Sequence, residues 1–331
     1  MNGWQIKLNG DSLSWLLEPD EANPGVRYFA LRDLLDRAET DPEVMQASRA
    51  VMATGPVPVI LNAQASEGYW VKPGGGYSPK YRGTVWQIMF LAELGAAPTE
   101  ERVRRGCEYL LNHSLAPNHA FSASQRPTPS NALHCLNGNL LSALLSLGYS
   151  SDPRVQAALD WQAQAITGQG QIRYYPSGTN APGFACAVNR GQPCGWGATK
   201  AIKALLAISP RQRTPAIQHA IEVGAEFLLS RDPAVADYPY TGRVSSSWFK
   251  FGFPLSYWSD VLEVAAVLVE LGYGDDPRLS NVLQFILSKQ DRQGRWRLEN
   301  TLNRKMWIDI EQKGQPSKWI TLRALRVLKA C

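Results

Sequence analysis

Apolar positions along this chain recur at helical spacing in two kinds of segment. The first kind is apolar on most faces, as in Leu140-Leu141-Ser-Ala-Leu-Leu-Ser-Leu147 and Val261-Leu262-Glu-Val-Ala-Ala-Val-Leu-Val269. Helices of that composition are buried on several sides. They are expected over 83–95, 133–147, 195–208, 256–272 and 317–329, with a poorer match near 26–37. The second kind is amphipathic, with spaced apolar positions such as Val155, Leu159 and Ala163, and is expected over 153–166, 215–230 and 277–289. Each of these opens on Asp152-Pro153, Thr214-Pro215 or Asp276-Pro277. That pairing reads as an N-cap followed by proline at the first helical position.

The three prolines lie 62 residues apart, and at twice that spacing the match extends further. Leu147-Gly148-Tyr149 returns as Leu271-Gly272-Tyr273, Asp152-Pro153-Arg154 as Asp276-Pro277-Arg278, and Gln169-Gly170 as Gln293-Gly294. A fixed period of this kind marks a repeat architecture. Alternation of all-round apolar helices with amphipathic ones gives an inner ring inside an outer ring. The fold class expected is therefore all-α, an α/α toroid of five to six helical hairpins. It is read as one domain over 1–331, least regular in 1–80.

Composition agrees with a folded chain: 44% of the 331 residues are apolar and 19% charged, with a formal net charge of +5. Lys and Arg are dispersed, which argues against a nucleic-acid partner. No run approaches the ~18 apolar residues of a membrane span. The N-terminus lacks a signal-peptide pattern, so a cytoplasmic protein is expected. In that compartment the five cysteines are expected as thiols, packed or ligating, without disulfides.

Val282-Leu-Gln-Phe285-Ile-Leu-Ser-Lys-Gln290-Asp-Arg-Gln-Gly294-Arg-Trp296 resembles the QW repeat of squalene and terpenoid cyclases. Related helical hairpins build the β subunits of protein prenyltransferases. The QW-type ending is read only in this copy, since Ile172 stands where Trp296 does. The resemblance implies an α/α toroid with its site at one end of the inner ring; the reaction does not follow from the fold.

Five successive inner-helix starts carry Trp86, His134, Trp196, Trp258 and Trp319. These tryptophans either pack between the rings or line a cavity for a small, mainly apolar ligand. Free N–H groups and the positive dipole ends at the same rim would favour an anion. Lys318, Arg82 and Lys80 lie near it in sequence.

His134-Cys135 opens one inner helix and Cys194 the next, and Cys186 lies in the loop between. Thiolate and imidazole are ligands that zinc prefers, so His134, Cys135, Cys186 and Cys194 form a candidate zinc site. The alternative is that each thiol fills a gap between helices, the reading preferred for Cys107. The resemblance implies zinc in protein prenyltransferases, held by Asp, Cys and His at inner-helix starts. His134-Cys135-Leu-Asn-Gly138 looks like part of their last ligand segment, with the histidine displaced and no Asp-x-Cys in the chain. Pro193-Cys194-Gly195-Trp196-Gly197 is similar to the first ligand segment of lanthionine cyclases, another α/α toroid.

Asp260 and Glu263 share one side of an apolar helix. Class II terpenoid cyclases, as the resemblance implies, protonate their substrate from Asp-x-Asp-Asp. Here Asp260 sits near the last Asp of that motif, and Ser259 stands where the donor would be. Asp260 and Glu263 either answer cations such as Lys200 and Arg323 or act as general acid and base. Asp309-Ile-Glu311, ahead of the last inner helix, is a further pair of carboxylates expected near the cavity. Three functions follow as expectations: a zinc-assisted enzyme of cyclase or prenyltransferase type, a non-catalytic ring that binds an apolar ligand or partner, and a metal-free cyclase using an acid not yet recognised.

Overall fold

The fold was analysed in a computed structural model, which describes residues 5, 7–170, 183–236, 238 and 245–331. Ile172 lies outside them. The capping residues act as their chemistry requires. Asp152, Thr214 and Asp276 accept hydrogen bonds from the backbone N–H of Arg154, Ile217 and Arg278, and Pro153, Pro215 and Pro277 follow. They launch α8 (Pro153–Thr167), α10 (Pro215–Leu229) and, after one 3₁₀ turn, α12 (Ser280–Ser288). The apolar segments form α5 (Thr84–Glu93), α7 (His134–Ser146), α9 (Gly195–Leu206), α11 (Val261–Glu270) and α13 (Lys318–Lys329). The poorer match near 26–37 is α2 (Pro24–Phe29), continued by a π-helical turn over Ala30–Leu34. The remaining helices are α1 (Ser12–Leu17), α3 (Pro42–Ala53), α4 (Pro56–Asn62) and α6 (Glu101–His113).

Two concentric rings result. In the inner ring α5, α7, α9, α11, α13 and α2 pack in that order. Gly25 closes it: a Cβ there would stand 2.5 Å from the Leu94 carbonyl oxygen, so only glycine lets α2 meet the end of α5. The closest inner contact has the same cause, because a Cβ at Gly138 would lie 2.3 Å from the Lys200 backbone. In the outer ring α3, α6, α8, α10 and α12 each pack on the inner helix before them, and α1 packs on α13. The beginning of the chain thus supplies the outer partner of its last helix, and six inner–outer pairs are present among the described residues. The fold is all-α. Its named strands, β1 (Trp296–Arg297) and β2 (Pro316–Ser317), form one two-residue antiparallel pair.

The spacing Gln-x3-Gly-x-Trp occurs twice, at Gln64–Trp70 as well as Gln290–Trp296, which corrects the reading of a single copy. The two copies are built alike. The Trp70 indole N–H donates to the Ile60 carbonyl and its backbone N–H to Thr84 Oγ1, at 2.7 and 3.1 Å. Trp296 makes the same pair of bonds, to Ile286 and Thr321, at the same distances. Each indole therefore ties the end of one helix to the next inner helix. Among the described residues no helix is long and apolar enough to cross a membrane.

Candidate functional site

A cavity of about 520 Å³ occupies the axis of the inner ring. It is lined by the C-terminal halves of α2, α5, α7 and α9 and by most of α11 and α13. Phe253, Leu255 and Trp319 supply an apolar wall, with the Phe253 and Trp319 rings stacked 4.2 Å apart at 9°. The Trp319 indole N–H is held by Asn23 Oδ1 at 2.9 Å.

Charged side chains are set into the rest of the wall among apolar and small polar ones such as Met89, Leu262, Val267, Asn139 and Ser142. Asp260, fully buried, caps α11 through the Glu263 N–H and accepts both Arg323 terminal nitrogens at 2.7 and 3.0 Å. Arg323 also donates to the Gly252 carbonyl at 2.6 Å. Glu263 holds two cations, Lys200 Nζ at 2.6 Å and Lys203 Nζ at 3.2 Å. Burial alone would raise the Glu263 carboxyl, but Lys200, Lys203 and Arg323 outweigh it and hold the group at about 2. At the far end of the cavity Arg32 and Arg326 share Asp33, with Arg32 Nε 2.6 Å from the carboxylate and Arg326 on its other oxygen.

Glu93, the last residue of α5, differs from these carboxylates. It lines the cavity and accepts the Leu255 N–H at 3.1 Å, and among the described residues it forms no close ion pair. Its remaining accessible surface opens into the cavity. Burial raises its pKa, the like charge of Glu263 adds to that, and the attraction of Lys203 and Lys200 does not offset it. Burial also raises Glu270 in the same wall.

The residues singled out in the sequence separate into two groups. Glu263, Arg323 and Trp319 line the cavity, and Asp260 stands directly behind Arg323. Trp86, Trp196 and Trp258 are at the opposite, N-terminal end of the inner helices. Trp86 is buried between Tyr77 and Tyr81 with its N–H on the Tyr77 carbonyl. Trp196 and Trp258 flank Tyr257, with ring centroids 6.3 and 5.5 Å away. Trp258 precedes α11 rather than starting it, since that helix begins at Val261. Lys80 Nζ lies 4.9 Å from the Tyr257 ring, and Arg82 stacks on Trp307. Lys318 pairs with Asp20 at 3.3 Å, outside the cavity lining. Glu311 caps α13, accepting the Lys318 N–H at 2.6 Å and the Ser317 hydroxyl. Burial carries its carboxyl up to about 7 despite those bonds.

The thiols also gather at the N-terminal end. An antiparallel bridge between Ala185 and Pro193 sets Cys186 beside Cys194, and the interaction with Cys186 together with burial raises the Cys194 thiol well above its ordinary value. Burial and the neighbouring Cys186 push the Cys135 thiol up to about 12. His134 is engaged elsewhere: its Nδ1 meets Gln162 Nε2 on α8 at 2.9 Å, and its ring packs near Phe184 and Trp161. Among the described residues no three His, Cys, Asp or Glu side chains are arranged to hold a metal. In the metal-free chain the Cys135 and Cys194 thiols are held protonated by burial and by the neighbouring Cys186.

Sequence reasoning missed Glu93, Lys203, Arg32 and Arg326. A signal was present for Lys203 and Arg326, charges set among apolar neighbours in Gly195–Leu206 and Lys318–Lys329.

No protein-family model matches the chain, and no curated protein matches it. Among solved structures it is similar to a protein from Actinoplanes, at 13% identity and a TM-score of 0.45, covering 99% of this chain and 98% of that one. It is also similar to the type II terpene cyclase MstE from Scytonema. A variant of that enzyme in complex with geranylgeranyl dihydroxybenzoate matches at 14% identity and a TM-score of 0.33, covering 88% of this chain and 98% of that one. A complex with merosterolic acid A matches at 13% and 0.32, with the same coverage. Scores this low assign neither an activity nor a residue role to this chain.

Proposed function

We propose that the ring is a small-molecule enzyme, cyclase- or prenyltransferase-like in architecture, that holds a mainly apolar, isoprenoid-sized ligand in its axial cavity and uses Glu93 as general acid. The observation that carries this reading is Glu93 itself, a carboxyl in the cavity lining that has no close ion pair among the described residues. The cavity volume lies within the usual range for small-molecule sites.

The raised pKa decides the kind of chemistry. Glu93 holds its proton more tightly than an ordinary carboxyl and is a weaker acid, suited to an oxygen base such as an epoxide or a departing hydroxyl rather than a bare alkene. As the proton passes to that oxygen, the electron pair of the O–H bond stays on the carboxylate, which Lys203 and Lys200 attract. The same cations, with Arg323, disfavour a free carbocation in this wall. Acid-assisted opening at an oxygenated carbon is therefore preferred to a hydrocarbon cascade: the C–O bond breaks as a hydroxyl oxygen of the ligand bonds to that carbon, and the proton that hydroxyl loses returns to the Glu93 carboxylate, giving an isomer of equal mass. Asp260 and Glu263 act as positioning residues that hold Arg323, Lys200 and Lys203 in place. No step is assigned to zinc.

The test is incubation with an epoxide of farnesol, with mass spectrometry for an isomer of equal mass. Glu93→Gln should lower conversion about 10²–10⁴-fold, the usual worth of a general acid, with thermal melting unchanged. Undiminished conversion in that variant would remove Glu93 from the chemistry. Binding of the epoxide without conversion by the wild type would leave a non-catalytic binding ring.

A further inference from the structure

We propose that the cavity's ligand carries a hydroxyl group that donates to the side-chain oxygen of Asn139. This rests on the reading above that a mainly apolar ligand occupies the axial cavity. Asn139 lies on α7 in the cavity lining and is only 8% exposed. Its Nδ2 donates to the Ser256 carbonyl at 2.7 Å. A carbonyl can only accept, so that bond fixes the amide with Oδ1 as its free end. Oδ1 accepts nothing among the described residues, yet it keeps accessible surface. Tethering Ser256 to α7 calls for a donor alone, and it leaves the acceptor unexplained. A nearly buried acceptor is costly unless a donor reaches it.

Ser142, one turn along in the same lining, repeats the pattern. A serine inside a helix commonly returns its hydroxyl to a carbonyl of the preceding turn, as Ser146 does to Ala143 at 2.9 Å. The Ser142 hydroxyl has no such partner among the described residues. The two side chains set a neutral hydrogen-bonding strip among the leucines of α7. An amide oxygen takes only a donor, which an ether, an epoxide or a carboxylate does not have. An ammonium has one but would meet Lys203 and Arg323 in the same wall. A hydroxyl meets both conditions. Its place relative to the acid also follows. Glu93 accepts the Leu255 N–H while Asn139 donates to the carbonyl of the next residue, so both hold one two-residue stretch, which spans at most about 7 Å. The substrate class is an isoprenoid or medium-chain alcohol whose second oxygen function, the one Glu93 protonates, lies near its hydroxyl.

The experiment is calorimetric titration of the full chain with decan-1-ol and, separately, with its isomer 1-methoxynonane, which has the same atoms and no O–H donor. Decan-1-ol should bind about tenfold more tightly, the cost of leaving one buried acceptor unpaired. Asn139→Leu should bring the alcohol down to the affinity of the ether and leave the ether unchanged. If that variant folds poorly for want of the Ser256 tether, a crystal structure of the wild type with decan-1-ol decides, with the hydroxyl oxygen expected within about 3 Å of Asn139 Oδ1. Equal binding of the two isomers by the wild type, an alcohol preference that survives Asn139→Leu, or a hydroxyl seated elsewhere would overturn the assignment and leave the apolar cavity standing. Failure of both isomers to bind would overturn the cavity reading and this inference with it. Glu93 is tested by conversion and Asn139 by affinity, so failure of the one is distinguishable from failure of the other.

Discussion

The two ends of the inner ring are made by the same helices from opposite materials. At the N-terminal end aromatic rings and thiols close on one another, with Lys80 over the Tyr257 ring: Trp86 between two tyrosines, Tyr257 between two tryptophans, and Cys186 beside Cys194. The cavity runs from the C-terminal halves of α5, α7 and α9 to the first turns of α11 and α13, and around it stand Arg323 on Asp260, two lysines on Glu263, two arginines on Asp33, and Glu93. Buried charge is costly unless it is paired. A wall that keeps so much of it is organised around something other than packing, whereas the aromatic and thiol end needs no further explanation than a filled core. Of the called tryptophans Trp319 lines the cavity, while Trp86, Trp196 and Trp258 pack away from it.

The largest expected effect is at the charged end. Asp260→Ala leaves Arg323 buried without its carboxylate and should cost about 3–5 kcal/mol in urea unfolding. A cost below about 1 kcal/mol would mean that the pair is solvated and the charged wall incidental. A smaller effect is expected at Glu311. Its folded carboxyl titrates at about 7 against an ordinary 4.5, so the folded state binds the proton more tightly than the unfolded chain does. The stability this supplies is complete below about pH 4.5 and is lost as the pH rises through 7. The melting temperature should therefore fall between pH 5 and pH 8, and Glu311→Gln should flatten that slope; an unchanged slope would place its origin elsewhere. The smallest effect is expected at the neutral end. Cys194→Ala should cost about 1 kcal/mol, as for a small buried side chain, and leave ligand affinity in the cavity unchanged. Loss of affinity, or of stoichiometric zinc found by elemental analysis in the wild type, would move the working site to the thiols.

The ring was legible because its signals are local. Asp152-Pro153, Thr214-Pro215 and Asp276-Pro277 each start a helix by themselves, and the apolar segments between them have only the interior to go to. The pairing of Asp260 and Glu263 with cations was legible for a related reason, since an apolar helix cannot bury a carboxylate alone. What could not be read was which face of each inner helix meets the axis. A helix apolar all round, such as Thr84–Glu93, has no polar stripe to show its direction, so Glu93 looked like the end of a helix rather than the wall of a cavity. Gln64–Trp70 carries the same spacing after α4, whose opening proline follows Gly55 rather than a capping Asp or Thr and lies off the 62-residue period.

The protonation state of Glu93 is the point on which the proposed chemistry turns, and infrared spectroscopy reads it without any substrate. At neutral pH the wild type should show a protonated carboxylic-acid C=O band that loses a component in Glu93→Gln. A spectrum in which that variant removes only carboxylate absorption would show Glu93 ionised beside Lys203, and the general-acid role would fall.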